Sequence, residues 1–153
     1  RCLKFEITES AIMESATEAV KITDALRSRH IEISIDDFGT GYSSLGHLHQ
    51  FSLDNLKIDR SFVDQINKPN GRHSYVVNTI VALGQQLGLA VIAEGIETEA
   101  QIQYLRNLGC EYGQGFLFAK PLPAAEFEAQ YLCPPSEAMP SALASAHRPR
   151  STH

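Results

Sequence analysis

At 153 residues the chain has the length of about one domain. Its 43% hydrophobic and 20% charged residues are those of an ordinary globular protein with enough apolar material for a core. The formal net charge of -5 argues against a phosphate-backbone binder, which carries a basic patch, so direct DNA or RNA binding is not expected. A metal-neutralised nucleotide stays allowed. Cys2, Cys110 and Cys133 make an odd, widely spaced set, which suits free thiols in a reducing cytoplasm rather than disulfides or a zinc site. No apolar run reaches the roughly 18 residues of a membrane helix. The opening "RCLKFEITES" has too short an apolar segment for a signal peptide. It lacks an initiator Met and begins inside a strand pattern, so the chain reads as a piece of something longer.

One phrase recurs along the chain: a short apolar strand, an acid near its end, then a helical stretch. "CLKFEITE" (2–9) leads into "ATEAVKITDALRSR", where Ala16, Val20, Ile22 and Leu26 recur at roughly helical spacing. "IEISIDD" (31–37) comes next, then a glycine loop and a short segment around Leu45 and Leu48. "DNLKIDRSFV" (54–63) is the third predicted strand. The turn signal "NKPNG" precedes a helix, "HSYVVNTIVALGQQLG", with Val76, Ile80, Leu83 and Leu87 on one stripe and Gly88 at its C-terminus. "LAVIAEGIE" (89–97) is the fourth strand. Thr98 and Gln101 form a capping box for the helix "TEAQIQYLRNLG". "YGQGFLFAKPLP" (112–123) is the fifth strand, and "AAEFEAQYL" a last helix. From Cys133 onward, "CPPSEAMPSALASAHRPRSTH" has no apolar period and reads as a disordered Pro/Ala/Ser-rich tail, so the chain divides into residues 1–132 and 133–153. Strands alternating with helices predict a parallel α/β sheet.

Strand parity places the acids. Glu6 shares a face with Thr8, opposite Phe5 and Ile7. Asp36 lies opposite Ile33 and Ile35, Lys57 and Asp59 opposite Leu56 and Ile58, and Glu94 opposite Val91 and Ala93. One face of each strand suits packing under helices, and the other carries charge near its C-terminal end. In a barrel or an open parallel sheet, active sites are built at that end. Converging carboxylates repel, and a divalent Mg2+, Mn2+ or Ca2+ resolves the conflict. The adjacent Asp36 and Asp37 could bind two ions, the usual clamp for phosphodiester hydrolysis. Lys57 could orient the attacking water or neutralise developing charge.

Each feature taken alone also has a structural reading. "DD" after a strand is a turn or a helix cap, Glu6 to Ser10 a helix start, and Lys57 with Asp59 an ion pair. Glu97 and Thr98 read as helix-start residues, and His47 and His49 as surface residues. GxxxxGK[ST], GxSxG and GxGxxG are all absent from the chain. The combination of acids at four strand ends is what points to a site.

"FEITES", "IDDFGTGYSSL", "LKIDRSFV", "VIAEGIET" and "GCEYGQGFLFAKPL", in this order over about residues 1–130, resemble the C-terminal part of an EAL domain, the bacterial cyclic di-GMP phosphodiesterase family. The resemblance implies a partial (β/α)8 TIM-type barrel, about five of eight strands with intervening helices. It implies hydrolysis of cyclic di-GMP to linear pGpG at a two-metal Mg2+ or Mn2+ site. By motif, Glu6 would be a metal ligand, Asp36 would bridge two metals, and Asp37 would ligate the second. Lys57 would contact the catalytic water, with Asp59 in the same network. Glu94 would be a ligand and proposed general base, and Gln114 would line the site. Glu9 would brace the loop from Phe38 to Leu45, and Glu97 would support the site from behind. The loop residues Gly39, Thr40, Gly41, Ser43 and Ser44 would couple the metals to a homodimer contact. A sensor or GGDEF-type domain would lie upstream in the parent.

Ser52 stands where the family usually has Pro, and is expected to loosen a turn. Glu111 stands where Asp is usual. The family's "EAL" motif, with its metal-binding Glu, and the strand carrying its Asn ligand do not occur in this chain. Five strands are therefore expected to leave the barrel open and the chain inactive by itself. Two further readings stay in view: a non-catalytic cyclic di-GMP receptor or protein-interaction module, and an unrelated metal-dependent barrel lyase or isomerase.

Overall fold

In the computed structural model, residues 3–40, 45–66 and 74–132 are described. The "NKPNG" turn, most of the glycine loop and the tail from Cys133 lie outside them. Five strands form one sheet in the order of the chain, and every pair is parallel. The strands are β1 (Lys4–Thr8), β2 (Glu32–Phe38), β3 (Asn55–Ile58), β4 (Ala90–Ala93) and β5 (Tyr112–Gly113). The connecting helices are α1 (Glu9–Glu14), α2 (Ala16–Arg27), α3 (Arg60–Val63), α4 (Ser74–Leu87), α5 (Glu99–Asn107) and α6 (Ala124–Phe127). Sequential parallel strands joined through helices are a section of a (β/α) barrel, as expected. The sheet is open: among the described residues β1 and β5 each pair on one side only. No helix of the described residues is long and apolar enough to cross a membrane.

The parity argument holds best at the centre of the sheet. Ile33, Ile35, Leu56, Ile58, Val91 and Ala93 are all buried, against Ile12, Val77, Ile80 and Val81 of the helices among others. Leu56 has no exposed surface, so Leu56→Ala is expected to cost about 2–5 kcal/mol, read as a fall in urea midpoint. At the edge the same argument fails. Phe5 is 47% exposed, because β1 has a strand neighbour on only one side.

Several boundaries differ from the sequence reading for local reasons. "RSFV" is helix rather than strand: Asp59 Oδ1 accepts from the Ser61 amide at 2.9 Å and starts α3. β5 stops after two residues, and the chain then turns. The last helix runs from Ala124 to Phe127 and continues as a π-helical turn over Glu128–Leu132. On α2 the buried positions are Ala19 and Thr23, while Ile22 is exposed. Thr23 tolerates burial because its hydroxyl donates to the Val20 carbonyl at 3.0 Å. Ser52 does not merely loosen its turn; its hydroxyl donates to Asp24 at 2.6 Å and ties the β2–β3 connection to α2. The Thr98–Gln101 capping box forms as the sequence predicts.

Cys110 lies under β4, its Sγ 3.6 Å from the Val91 carbonyl and 3.4 Å from that of Tyr112. Burial pushes its thiol up from 9.0 to about 11. Folding therefore favours the neutral thiol. That contribution is complete below pH 9.0 and is lost as pH rises toward about 11. Urea stability followed across this window is expected to fall more steeply for the unaltered chain than for Cys110→Ala. Parallel curves would remove the thiol as the cause.

Candidate active site

The C-terminal ends of the strands bring the predicted acids to one place. Register pairs Glu6 with Ser34, Thr8 with Asp36, and Lys57 with Ile92. The ladder continues past the strand ends, where the Glu94 amide donates to the Ile58 carbonyl at 3.1 Å and the Gln114 amide to that of Ala93 at 2.8 Å. Side chains from four neighbouring strand ends thus lie side by side.

Lys57 is the centre of the arrangement. Its Nζ lies 2.8 Å from Glu6 Oε2, 3.0 Å from Asp36 Oδ1 and 2.7 Å from Glu94 Oε1. An ammonium has three donors, and here each has a carboxylate. Lys57 is 5% exposed, so its stem is buried on the face of β3 opposite Leu56 and Ile58. Burial pushes its pKa down, but the hydrogen bonds to Glu6, Glu94 and Asp36 outweigh it and hold Lys57 above the usual lysine range. Glu94 is pushed up, by burial, against the pull of Lys57. Its Oε1 also accepts from Gln114 Nε2 at 2.7 Å.

The double Asp occupies a bend in β2. Pairing with β3 shifts register between Ile35 and Phe38, and Asp37 has a positive φ of 53°. Asp36 Oδ1 accepts from the Asp37 amide at 3.0 Å. A bulge at a strand end re-aims side chains, so the two acids do not simply alternate faces. Asp37 is pushed up by burial and by the charges of Asp36 and Asp59. The loop that follows is held from below. Glu9, the first residue of α1 and only 2% exposed, accepts from the Gly39 amide at 2.7 Å. Thr40 Oγ1 donates to the Asp37 carbonyl at 2.8 Å. Gly41, Ser43 and Ser44 lie outside the described residues.

Among the described residues, no group of three His, Cys, Asp or Glu side chains forms a ready metal cage. Glu6, Asp36 and Glu94 meet on an ammonium instead, and Asp59 spends one oxygen capping α3. The donor set nonetheless fits a hard divalent cation. Every donor is a carboxylate oxygen, three acids share the one ammonium of Lys57, and Asp37, pushed up first by burial and then by the charges of Asp36 and Asp59, stands beside further negative charge. His49 is exposed, as expected of a surface residue.

Two participants escaped the sequence reading. Arg60 forms a 2.6 Å ion pair with Glu97, and Gln101 Nε2 donates to the Val63 carbonyl at 3.1 Å. Gln101 was legible only as a cap, and Arg60 only as the residue after Asp59.

The sequence model of the family described as "EAL domain" matches residues 1–121. NbdA of Pseudomonas aeruginosa, named a cyclic di-GMP phosphodiesterase, is 44% identical over 126 residues, which are 82% of this chain and 16% of that protein. A structure of the PaMucR phosphodiesterase in complex with c-di-GMP superposes with a TM-score of 0.78 at 45% identity, covering 82% of this chain and 50% of that one. A manganese/cy-diGMP complex of Klebsiella pneumoniae BlrP1 gives 0.69 at 36% identity, covering 77% and 30%. The chain therefore spans a small part of its curated relative and half or less of these solved chains.

Proposed function

This chain belongs to the EAL domain family, and from that premise we propose that it supplies the Lys57-centred part of a metal-dependent phosphodiesterase site that opens cyclic di-GMP to linear pGpG. The observation that carries the reading is the contact of one buried ammonium with Glu6, Asp36 and Glu94, with Gln114 on Glu94. Relatives named as cyclic di-GMP phosphodiesterases support the substrate.

Glu94 Oε1 is held by Lys57 and Gln114, which leaves Oε2 to take the proton of the attacking water. Lys57 offsets charge that builds on the phosphate during in-line attack. Glu9 fixes the start of the glycine loop through Gly39. Mg2+ or Mn2+ held by Glu6, Asp36, Asp37, Asp59 and Glu94 would polarise the phosphodiester and acidify a bound water. The same premise supports a cytoplasmic setting, a second copy as dimer partner through the glycine loop, and a sensor or GGDEF-type domain in the parent protein.

The test joins this chain to the part of the MucR phosphodiesterase that it does not match, and follows cyclic di-GMP with Mn2+ and with EDTA. Metal-dependent pGpG is expected. Tight cyclic di-GMP binding without product would overturn the catalytic reading in favour of a receptor.

A further inference from the structure

We infer that Arg60 is a positioning residue that, with Glu97, clamps the turn after β4 against α3 and so sets where Glu94 meets Lys57. The turn from Glu94 to Thr98 is gripped at both ends of α3. At the start of the helix, Arg60 Nη2 lies 2.6 Å from Glu97 Oε1, and Nε lies 3.5 Å from Asp64 Oδ2. At its end, the Val63 carbonyl accepts from Gln101 Nε2, while Gln101 Oε1 accepts from the Glu97 and Thr98 amides at 2.8 and 2.9 Å. Between these points the Arg60 stem lies directly across Gly95. That residue has a φ of 71°, and a Cβ there would collide with Cβ, Cγ and Cδ of Arg60.

Position, rather than stability, is what such a contact can supply. The side chains of Arg60 and Glu97 are 52% and 41% exposed, and exposed ion pairs add little to folding. Gly95, however, is covalently next to Glu94. Lys57 of β3 lies three residues before Arg60, so α3 carries one partner of the clamp and follows closely on the strand whose lysine Glu94 must meet. A shift of the turn moves Glu94 relative to Lys57 directly. The catalytic meaning of the clamp rests on the function proposed above, whereas the clamp itself can be tested without substrate or metal.

The test is a side-chain 1H–15N spectrum of lysine ammonium groups in the 153-residue chain, with the Lys57 signal identified by its loss in Lys57→Arg. A protected Lys57 signal is expected. In Arg60→Met, whose stem still covers Gly95, exchange of the Lys57 ammonium protons is expected to rise about tenfold through local opening, while the melting temperature barely moves. Arg60→Lys should restore part of the protection. Arg60→Glu combined with Glu97→Arg should restore more than either change leaves alone. An unchanged Lys57 signal in Arg60→Met would overturn the clamp, as would an unprotected signal in the unaltered chain. Equal loosening of the Val77 and Val91 amides would overturn it too, because it would show a general structural role. Cyclic di-GMP binding, measured separately, tests the proposed function, and its absence would leave the clamp result standing.

Discussion

Lys57→Met, in the protein completed with the unmatched MucR segment, is expected to lower cyclic di-GMP turnover by about 10²–10³-fold, the effect of removing one preorganised charge from a reacting centre. Ligand affinity should change far less. Methionine keeps most of the buried stem of Lys57, so the space on that face of β3 stays largely filled. What disappears is the one group that touches Glu6, Asp36 and Glu94 together. Three acids then face one another, and the variant also loses stability. Breaking a fully buried pair costs about 3–5 kcal/mol, and this site should lose less because Glu6 is half exposed. Lys57→Arg should not restore turnover. A planar fork cannot present three donors to three carboxylates as a compact ammonium does. Steady-state kinetics beside a binding isotherm reads both quantities, and near-normal turnover would remove Lys57 from the mechanism.

Gly115→Ala is expected to have the largest effect on stability among single-methyl additions near the site. A Cβ at this position would run into the N, C and O atoms of Ile96. Those are backbone atoms, and two of them are already engaged. The Ile96 amide donates to the Gln114 carbonyl at 3.0 Å, and its carbonyl accepts from Leu117 at 3.0 Å. Nothing flexible can yield, so relieving the collision means breaking the pairing of β5 with the turn after β4. Overpacking of this kind costs about 1–3 kcal/mol or more. Because Gln114 is the adjacent residue, its hydrogen bond to Glu94 should go with it. A urea midpoint within experimental scatter of the unaltered chain would show that the two segments separate without cost.

Local signals carried the elements well. Period-2 alternation located β2, β3 and β4, and the apolar face of each is buried as parity predicts, but Ser34, Asn55 and Lys57 on the other face are buried too. The Thr98–Gln101 box started α5 where the sequence placed it, because a cap depends on residues only three apart. Failures came where local chemistry admits two answers. Asp59 could end a strand or cap a helix, and in the structure its side chain takes the backbone amide of residue 61 and caps α3. An apolar stretch such as "GQGFLFAKPLP" suits a strand, yet the tight approach of Gly115 to Ile96 turns the chain after Gly113.

By itself, then, the sequence determined which residue types stand at the C-terminal end of each strand, since alternation and caps are properties of neighbours in the chain. Only the tertiary structure decided how those residues meet. Parallel register sets Lys57 between the ends of β2 and β4, within hydrogen-bond reach of three acids from three strands. The bulge in β2 decides where Asp36 and Asp37 point, and α3 decides that Arg60 reaches Glu97. Those distances depend on how segments far apart in sequence pack, and no local pattern encodes them.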